Sequence, residues 1–238
     1  MKCHSSLCGY FPKGQIIKKH EAFILHALPY RDEDKILTLF TKESGILKAV
    51  VYRAGSKKFS PGATDPLTRI EIVLSEGRGE LYKAGDITIL SQNLKLRDQL
   101  DRLRAACAMG NILMQCQLPQ KPAPLLYALF ISYLEQIPTF KNIPLLVDSF
   151  YIKLLRHDGL LHAQPQCSLC QEAPSFLAKG ESLCASHAPS DAIPFSLEEL
   201  KFIHDLAYVQ SYRQLEEQTI SPNLSRKINE LLLSCTGH

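Results

Sequence analysis

The chain has 238 residues, with 27 Lys+Arg against 24 Asp+Glu, a net charge of +3, 45% hydrophobic residues and 21% charged ones. This is enough chain to bury a core without disulfide staples, and enough for two ordinary domains; the composition excludes general disorder. No apolar run approaches the roughly 18 residues that span a bilayer, and Met1 to Lys19 lacks the apolar centre of a secretory signal, so a cytoplasmic protein with no membrane partner is expected.

The charge is uneven. Residues 1–90 hold 14 Lys+Arg against 10 Asp+Glu, while residues 91–238 hold 13 against 14. The basic surplus therefore belongs to the first part of the chain and points to a polyanionic partner there. Residues 1–19, with Gly9, Pro12 and Gly14, carry no hydrophobic period and are expected to form a mobile leader.

From Glu21 the pattern is that of strands: Ala22 to Leu28, Ile36 to Phe40, and Ile46 to Tyr52, with Lys42-Glu43-Ser44-Gly45 as a turn. Leu67 to Leu74, Gly79 to Tyr82 and Asp86 to Leu90 continue the series, and Arg69 and Glu71 alternate with Ile70 and Ile72 as on a half-buried face. Short strands with frequent turns over residues 20–90 fit an OB-type barrel, and an SH3-like barrel fits nearly as well.

Beyond Leu90 the period lengthens to that of helices. Leu96, Leu100, Leu103, Cys107, Gly110 and Met114 fall on one face; Leu126, Leu129, Phe130, Tyr133, Leu134 and Ile137 fall on a second. Ile143, Leu146, Val147, Phe150, Tyr151, Leu154 and Leu155 form a third, with Gly159 placed to end it. Three such stripes predict a bundle. Ser196-x-x-Glu199 is a capping box opening a helix to about Val209, and Ser221-Pro222 opens a last helix.

Between the third and fourth helices stands Cys167-x2-Cys170-x13-Cys184-x2-His187. Two soft ligand pairs at this separation suit one tetrahedral Zn²⁺, and four protein ligands close the shell, which favours a structural metal over a catalytic one. A redox dithiol at Cys167 and Cys170 is the competing reading. Pro165, Pro174 and Pro189 are expected to preclude regular structure around it. Of eight cysteines, three belong to this knuckle; the remaining five are an odd set without framework spacing, which favours a reducing compartment. Cys3-x4-Cys8, with His4, is a second metal candidate lacking a partner pair.

The loop Tyr52-Arg53-Ala54-Gly55-Ser56-Lys57-Lys58-Phe59-Ser60 gathers three cations and two aromatics, as a surface for single-stranded nucleic acid does, although a solvated hairpin tip would have the same composition. Arg53, Lys57 and Lys58 are the candidate phosphate contacts and Tyr52 or Phe59 the candidate stacking platform. Lys18, Lys19, Arg69 and Arg78 extend the patch if strand pairing puts them on the same side. No nucleophile motif, Walker loop or GxGxxG is present, which argues against an ATP-driven enzyme.

The order barrel, helical bundle, embedded knuckle resembles the RecO family of bacterial recombination mediators. The stretch Ala27-Leu28-Pro29-Tyr30-Arg31-Asp32-Glu33-Asp34-Lys35-Ile36-Leu37-Thr38-Leu39-Phe40-Thr41-Lys42-Glu43-Ser44-Gly45, the basic loop ending at Ser60, and Leu154-Leu155, Gly159, Pro165 and Cys167-x2-Cys170 carry the resemblance. It implies an α+β chain, with an OB-type DNA-binding domain over 20–90 and a helical domain over 91–238 with the knuckle at 165–189; the leader over 1–19 is longer than the family's usual start. It further implies binding of single- and double-stranded DNA, annealing of complementary strands, contact with RecR and with the C-terminal tail of single-stranded DNA-binding protein, indirect help in loading RecA, a nucleoid-associated location, and no covalent chemistry. A zinc-dependent hydrolase or redox protein, and a pure protein-interaction module, are the alternatives.

Overall fold

The computed structural model describes residues 17–77 and 79–237. The expectations placed on Arg78, on Cys3, His4 and Cys8, and on most of the leader lie outside them. The chain forms two compact units: one runs to residue 92 and takes back 118–122, and the other holds 93–117 and everything from 123.

The first unit is a closed five-stranded barrel of β1 (Ile17–Tyr30), β2 (Asp34–Thr41), β3 (Gly45–Val51), β4 (Arg69–Ser75) and β5 (Leu81–Ser91), in the order β1-β2-β3-β5-β4. This is the OB-type arrangement. One long strand makes it possible: β1 pairs first with β4 and then with β2, and its register against β2 shifts between Ile24 and His26. Such an irregularity bends the strand from one part of the barrel wall into the next. The runs Gly79–Tyr82 and Asp86–Leu90 fall into one strand that begins at Leu81: Lys83 and Ala84 pair with Ser75 and Leu74 of β4, and pairing resumes at Ile87 after a register shift.

Alternation fills the interior with Ala22, Ile24, Leu37, Leu39, Leu47, Ala49, Val51, Ile70, Ile72 and Leu74. The loop 52–68 is no free hairpin tip. Phe59 and Ala63 drop into the same core, Leu67 N–H donates to Ile24 O at 2.7 Å, Ile24 N–H donates to Thr68 O at 3.0 Å, and Lys35 Nζ holds Thr64 Oγ1 at 3.0 Å. Gly45 opens β3 at φ +64°, where a Cβ would lie 2.0 Å from the carbonyl oxygen of Lys121. The returning segment 118–122 needs that space, since Gln120 N–H donates to Ile46 O at 3.0 Å.

The second unit begins with a 3₁₀ turn (Leu94–Leu96) and contains α1 (Leu100–Cys116), α2 (Pro124–Gln136), α3 (Ile143–His157), α4 (Leu197–Tyr208), α5 (Tyr212–Glu216) and α6 (Pro222–Thr236). At its centre is α3, buried at nine positions and packed against α1, α2, α4 and α6. Its cap is Asn142, which accepts from Leu145 N–H at 3.2 Å. The expected capping box is present at α4, with Ser196 and Glu199 bonded reciprocally. Inside the bundle Tyr133 and Ser149 hydroxyls meet at 2.8 Å, and the Tyr133 ring lies 5.4 Å from Phe150 and 5.3 Å from Tyr212.

Two expectations fail here. The stripe from Leu96 to Met114 is only in part the buried face of α1: Leu96 is buried but belongs to the preceding turn, Leu100 is 61% exposed, and of the stripe's helical members only Gly110 joins the buried Ala105, Ala106, Met109, Ile112 and Leu113. The buried set mixes small residues with Met109, Ile112 and Leu113, so side-chain size alone did not choose the face. Secondly, the prolines around the knuckle do not exclude regular structure. They flank a three-stranded sheet of β6 (Phe176–Ala178), β7 (Glu181–Leu183) and β8 (Ile193–Pro194), in the order β7-β6-β8. Lys179 (φ +48°) and Gly180 (φ +82°) form the two-residue hairpin turn, whose doubly positive φ matches the twist of the strands.

Candidate nucleic-acid interface and metal centre

Four of the predicted barrel contacts sit together on the loop after β3. Tyr52 is 50% exposed, and Arg53, Lys57 and Lys58 are exposed around it. Arg53 N–H donates to Asp34 Oδ1 at 3.0 Å, and Ala54 N–H to Glu33 O at 2.8 Å, so the loop is tied to the turn between β1 and β2. Lys58 reaches back to β5, where its Nζ meets Asp86 at 3.4 Å and Gly85 O at 3.3 Å.

Phe59 must be withdrawn as a stacking residue. Its ring is 9% exposed and belongs to the barrel core, where burial stabilises the fold by about 1.5–3 kcal/mol but leaves no face for a base. Lys19 and Arg69 project from β1 and β4, across the barrel from β3, so pairing does not place them with Tyr52. Each is matched by a carboxylate: Lys19 Nζ lies 2.6 Å from Glu71 and Arg69 Nε 2.7 Å from Glu21.

Instead, the structure assembles a different group. An open cleft of about 420 Å³ is lined by Tyr30, Arg31, Val50, Tyr52, Gly77, Leu81 and Lys83. Its floor is the parallel step Val50↔Lys83, and the neighbouring pair Lys48↔Leu81 extends it. Arg31, at φ +55°, lays its guanidinium 5.2 Å over the ring of Tyr30. Among the described residues, the side chains of Arg31, Lys48, Arg53, Lys57 and Lys83 form no ion pair. Asp32 and Glu33 stand in the adjoining turn, so the surface mixes charges rather than being uniformly basic. Outward alternation on β3 and β5 was the available signal for Lys48 and Lys83, but only the β3–β5 pairing shows that they are neighbours.

The knuckle residues converge as expected. The ligand atoms of Cys167, Cys170, Cys184 and His187 all lie within 4.8 Å of one another and could hold one metal ion. Cys170 and Cys184 sulfurs are 3.7 Å apart, and His187 Nδ1 lies 3.3 Å from Cys184 Sγ and 3.6 Å from Cys167 Sγ. Those edges match a tetrahedron with metal–sulfur distances of about 2.3 Å and metal–nitrogen distances of about 2.0–2.1 Å. Cys184 follows directly on β7, and Ser168 N–H donates to Ser182 O at 2.8 Å, so the small sheet brings the two ligand pairs together. Burial resists ionisation of Cys167, but backbone N–H groups of Leu169, Cys184 and Cys170 outweigh it and push the thiol down, whereas burial and the neighbouring Glu172 and cysteine side chains push the Cys184 thiol up.

In the helical unit a further cleft, of about 440 Å³, is lined by Leu125, Leu129, Lys153, Arg156, His157 and the 207–210 segment. Lys153 Nζ bonds Val209 O at 2.5 Å, and the Arg156 guanidinium stacks 3.9 Å above Tyr208. No sequence pattern singled out this group. Among the described residues no helix is long and apolar enough to cross a membrane.

Two family models match the chain: Recombination protein O N terminal over residues 16–93, and Recombination protein O C terminal over residues 97–236. Similar curated proteins include one from Myxococcus xanthus, 29% identical over 65% of this chain and 64% of its own length. A protein of Chlamydia pneumoniae is 25% identical over 81% of this chain and 77% of its own, and one of Exiguobacterium sibiricum is 29% identical over 91% and 89%. All three are named DNA repair protein RecO.

Proposed function

The chain belongs to the RecO family, and from that membership we propose that it is a non-enzymatic mediator of DNA repair and recombination, whose barrel binds single- and double-stranded DNA and anneals complementary strands. The observation that carries this reading is the cleft on β3 and β5, lined by Arg31 and Lys83 with Tyr30 and Tyr52 and flanked by Lys48 opposite Leu81; among the described residues none of the three cations is in an ion pair. Exposed cations that can follow a phosphate backbone, interleaved with rings on which bases stack, are what strand binding without sequence preference requires. In OB folds the face of strands 2 and 3, with the loop between strands 1 and 2 and the loop between 4 and 5, is where oligonucleotides bind. Tyr52, Arg53, Lys57 and Lys58 extend that surface.

The knuckle holds structural zinc: a Cys₃His set fills all four positions and leaves none for substrate. The cleft around Lys153 and Arg156 suits the tail of single-stranded DNA-binding protein, because a chain terminus brings an α-carboxylate that two cations can receive while Leu125 and Leu129 offer apolar contact. Contact with RecR and indirect loading of RecA complete the proposed role, in the cytoplasm at the nucleoid.

Strand annealing is the test. Complementary oligonucleotides coated by single-stranded DNA-binding protein should anneal faster with the protein present. The Arg31→Ala/Lys48→Ala/Lys83→Ala variant should lose most of that acceleration; no acceleration by the wild type would remove the reading.

A further inference from the structure

Asp148 is a polar residue that neither the DNA surface nor the metal site uses. It lies on α3 and is 1% exposed, and its Oδ2 is buried with no hydrogen-bond partner among the described residues. The carboxyl also receives a hydrogen bond from the side chain of Ser225 on α6. A half-satisfied carboxylate in the core is costly, and buried polar groups are nearly always fully bonded.

An open cleft of about 500 Å³ ends on this residue. Its walls are apolar or small, with Ala105 and Ala108 of α1 on one side and Pro144 and Val147 of α3 on the other. Its rim carries Asp101 and Arg104, which lie 3.8 Å apart, and Lys141. Neither rim cation reaches Asp148. The charged and titratable groups around the carboxyl are therefore Asp101 and Arg104 from α1, Lys141 before α3 and Tyr151 on α3, while α6 presents only the uncharged Ser225 and Asn229.

We propose that this cleft is a docking site for a basic side chain of a partner protein, an arginine whose stem lies along Ala105, Ala108, Pro144 and Val147 and whose guanidinium bonds the Asp148 carboxylate. Charge complementarity selects the occupant: an unpaired acceptor at the floor of an apolar slot calls for a donor that is itself cationic on an apolar stem. The terminal torsion of an aspartate is soft, so the carboxyl turns Oδ2 towards the cleft as the guanidinium enters. This site is separate from the DNA surface and does not depend on that reading.

The probe is the pentapeptide Ac-Gly-Ala-Arg-Ala-Gly-NH₂, titrated into the ¹⁵N-labelled full chain without DNA. Saturable shifts at Ala105, Val147 and Ser225 are expected, about tenfold weaker in Asp148→Asn, where the charge but not the shape is lost. Binding should also weaken from about pH 7.5 to about pH 5 as the carboxylate takes up a proton. Ala108→Leu, which narrows the slot without touching the carboxyl, should block binding as well. The same peptide with citrulline, equal in shape but uncharged, should not bind. Shifts that are absent, equal for citrulline, unchanged in Asp148→Asn, or matched by spermidine at the same concentration would overturn the assignment.

Discussion

Val50 on β3 stands opposite Lys83 on β5 in the parallel step that closes the barrel, so that strands 30 residues apart in the chain share one outer face. Lys48, two residues earlier, joins it. If this face carries single-stranded DNA, the Arg31→Ala/Lys48→Ala/Lys83→Ala variant removes up to three phosphate contacts. The slope of log K against log salt should then become shallower by about 2, at roughly 0.7 per contact. Fluorescence anisotropy from low to moderate salt measures it. Lys19→Ala/Arg69→Ala, on the ion-paired arc, should leave the slope unchanged.

Tyr52 and Phe59 are seven residues apart on one loop but have opposite fates. Tyr52→Ala should weaken single-strand binding by about 1–3 kcal/mol, the value of one stacked base, with little loss of stability. Phe59→Ala should do the reverse, destabilising the barrel by about 3–5 kcal/mol through the cavity it leaves. Urea titration beside anisotropy separates the two, and equal binding losses at both positions would contradict the burial of Phe59.

Removing one knuckle ligand should cost the metal and the local fold together, because binding energy there is folding energy. Cys170→Ser is expected to lower zinc content from one ion per chain to a small fraction of that, and to abolish hydrogen-exchange protection across β6 and β7. A chelator should do the same to the wild type. Protection in the barrel strands should persist in both cases.

Asp148 also makes a pH prediction. Burial pushes its carboxyl up to about 6 from the usual carboxylate range, against the opposing hydrogen bond from Ser225. The unfolded chain ionises near pH 4 and the folded one near pH 6, so over that window the folded state holds the extra proton and stability falls as pH rises. The full penalty, about 2–3 kcal/mol at 1.36 kcal/mol per unit, is present above about pH 6 and absent below about pH 4. Asp148→Asn should accordingly be more stable than wild type at neutral pH by about that amount, with the difference vanishing near pH 4. Urea midpoints across the range check it.

Much of this is legible in the sequence. Period-two alternation marked the strands, three- and four-residue periods marked the helices, and Ser196-x-x-Glu199 and Ser221-Pro222 marked helix starts, because each is a local rule acting within a few residues. The spacing of Cys167, Cys170, Cys184 and His187 was likewise enough to predict a shared metal site, since short loops leave the paired ligands few ways to point. Composition alone could not reveal that Phe59 is core while Tyr52 is surface, nor which stripe of α1 is buried. Both depend on what packs opposite, and α3 accepts the Ala105–Gly110 side where Leu100 would have looked the better candidate.

What the sequence determined by itself is therefore most of the barrel strands, the five longer helices, the family pattern and four residues that could share a metal ion, while the β6–β8 sheet and α5 escaped it. Tertiary structure alone decided which cations become neighbours. Lys48 and Lys83 come onto one outer face, opposite Leu81 and Val50, because β3 and β5 pair in parallel, while Lys19 and Arg69 are carried to the far arc and neutralised by Glu71 and Glu21. It also placed Asp148 under a cleft with its Oδ2 unpartnered among the described residues. Such relationships join residues far apart in the chain, and they exist only once backbone pairing and helix packing have chosen a register.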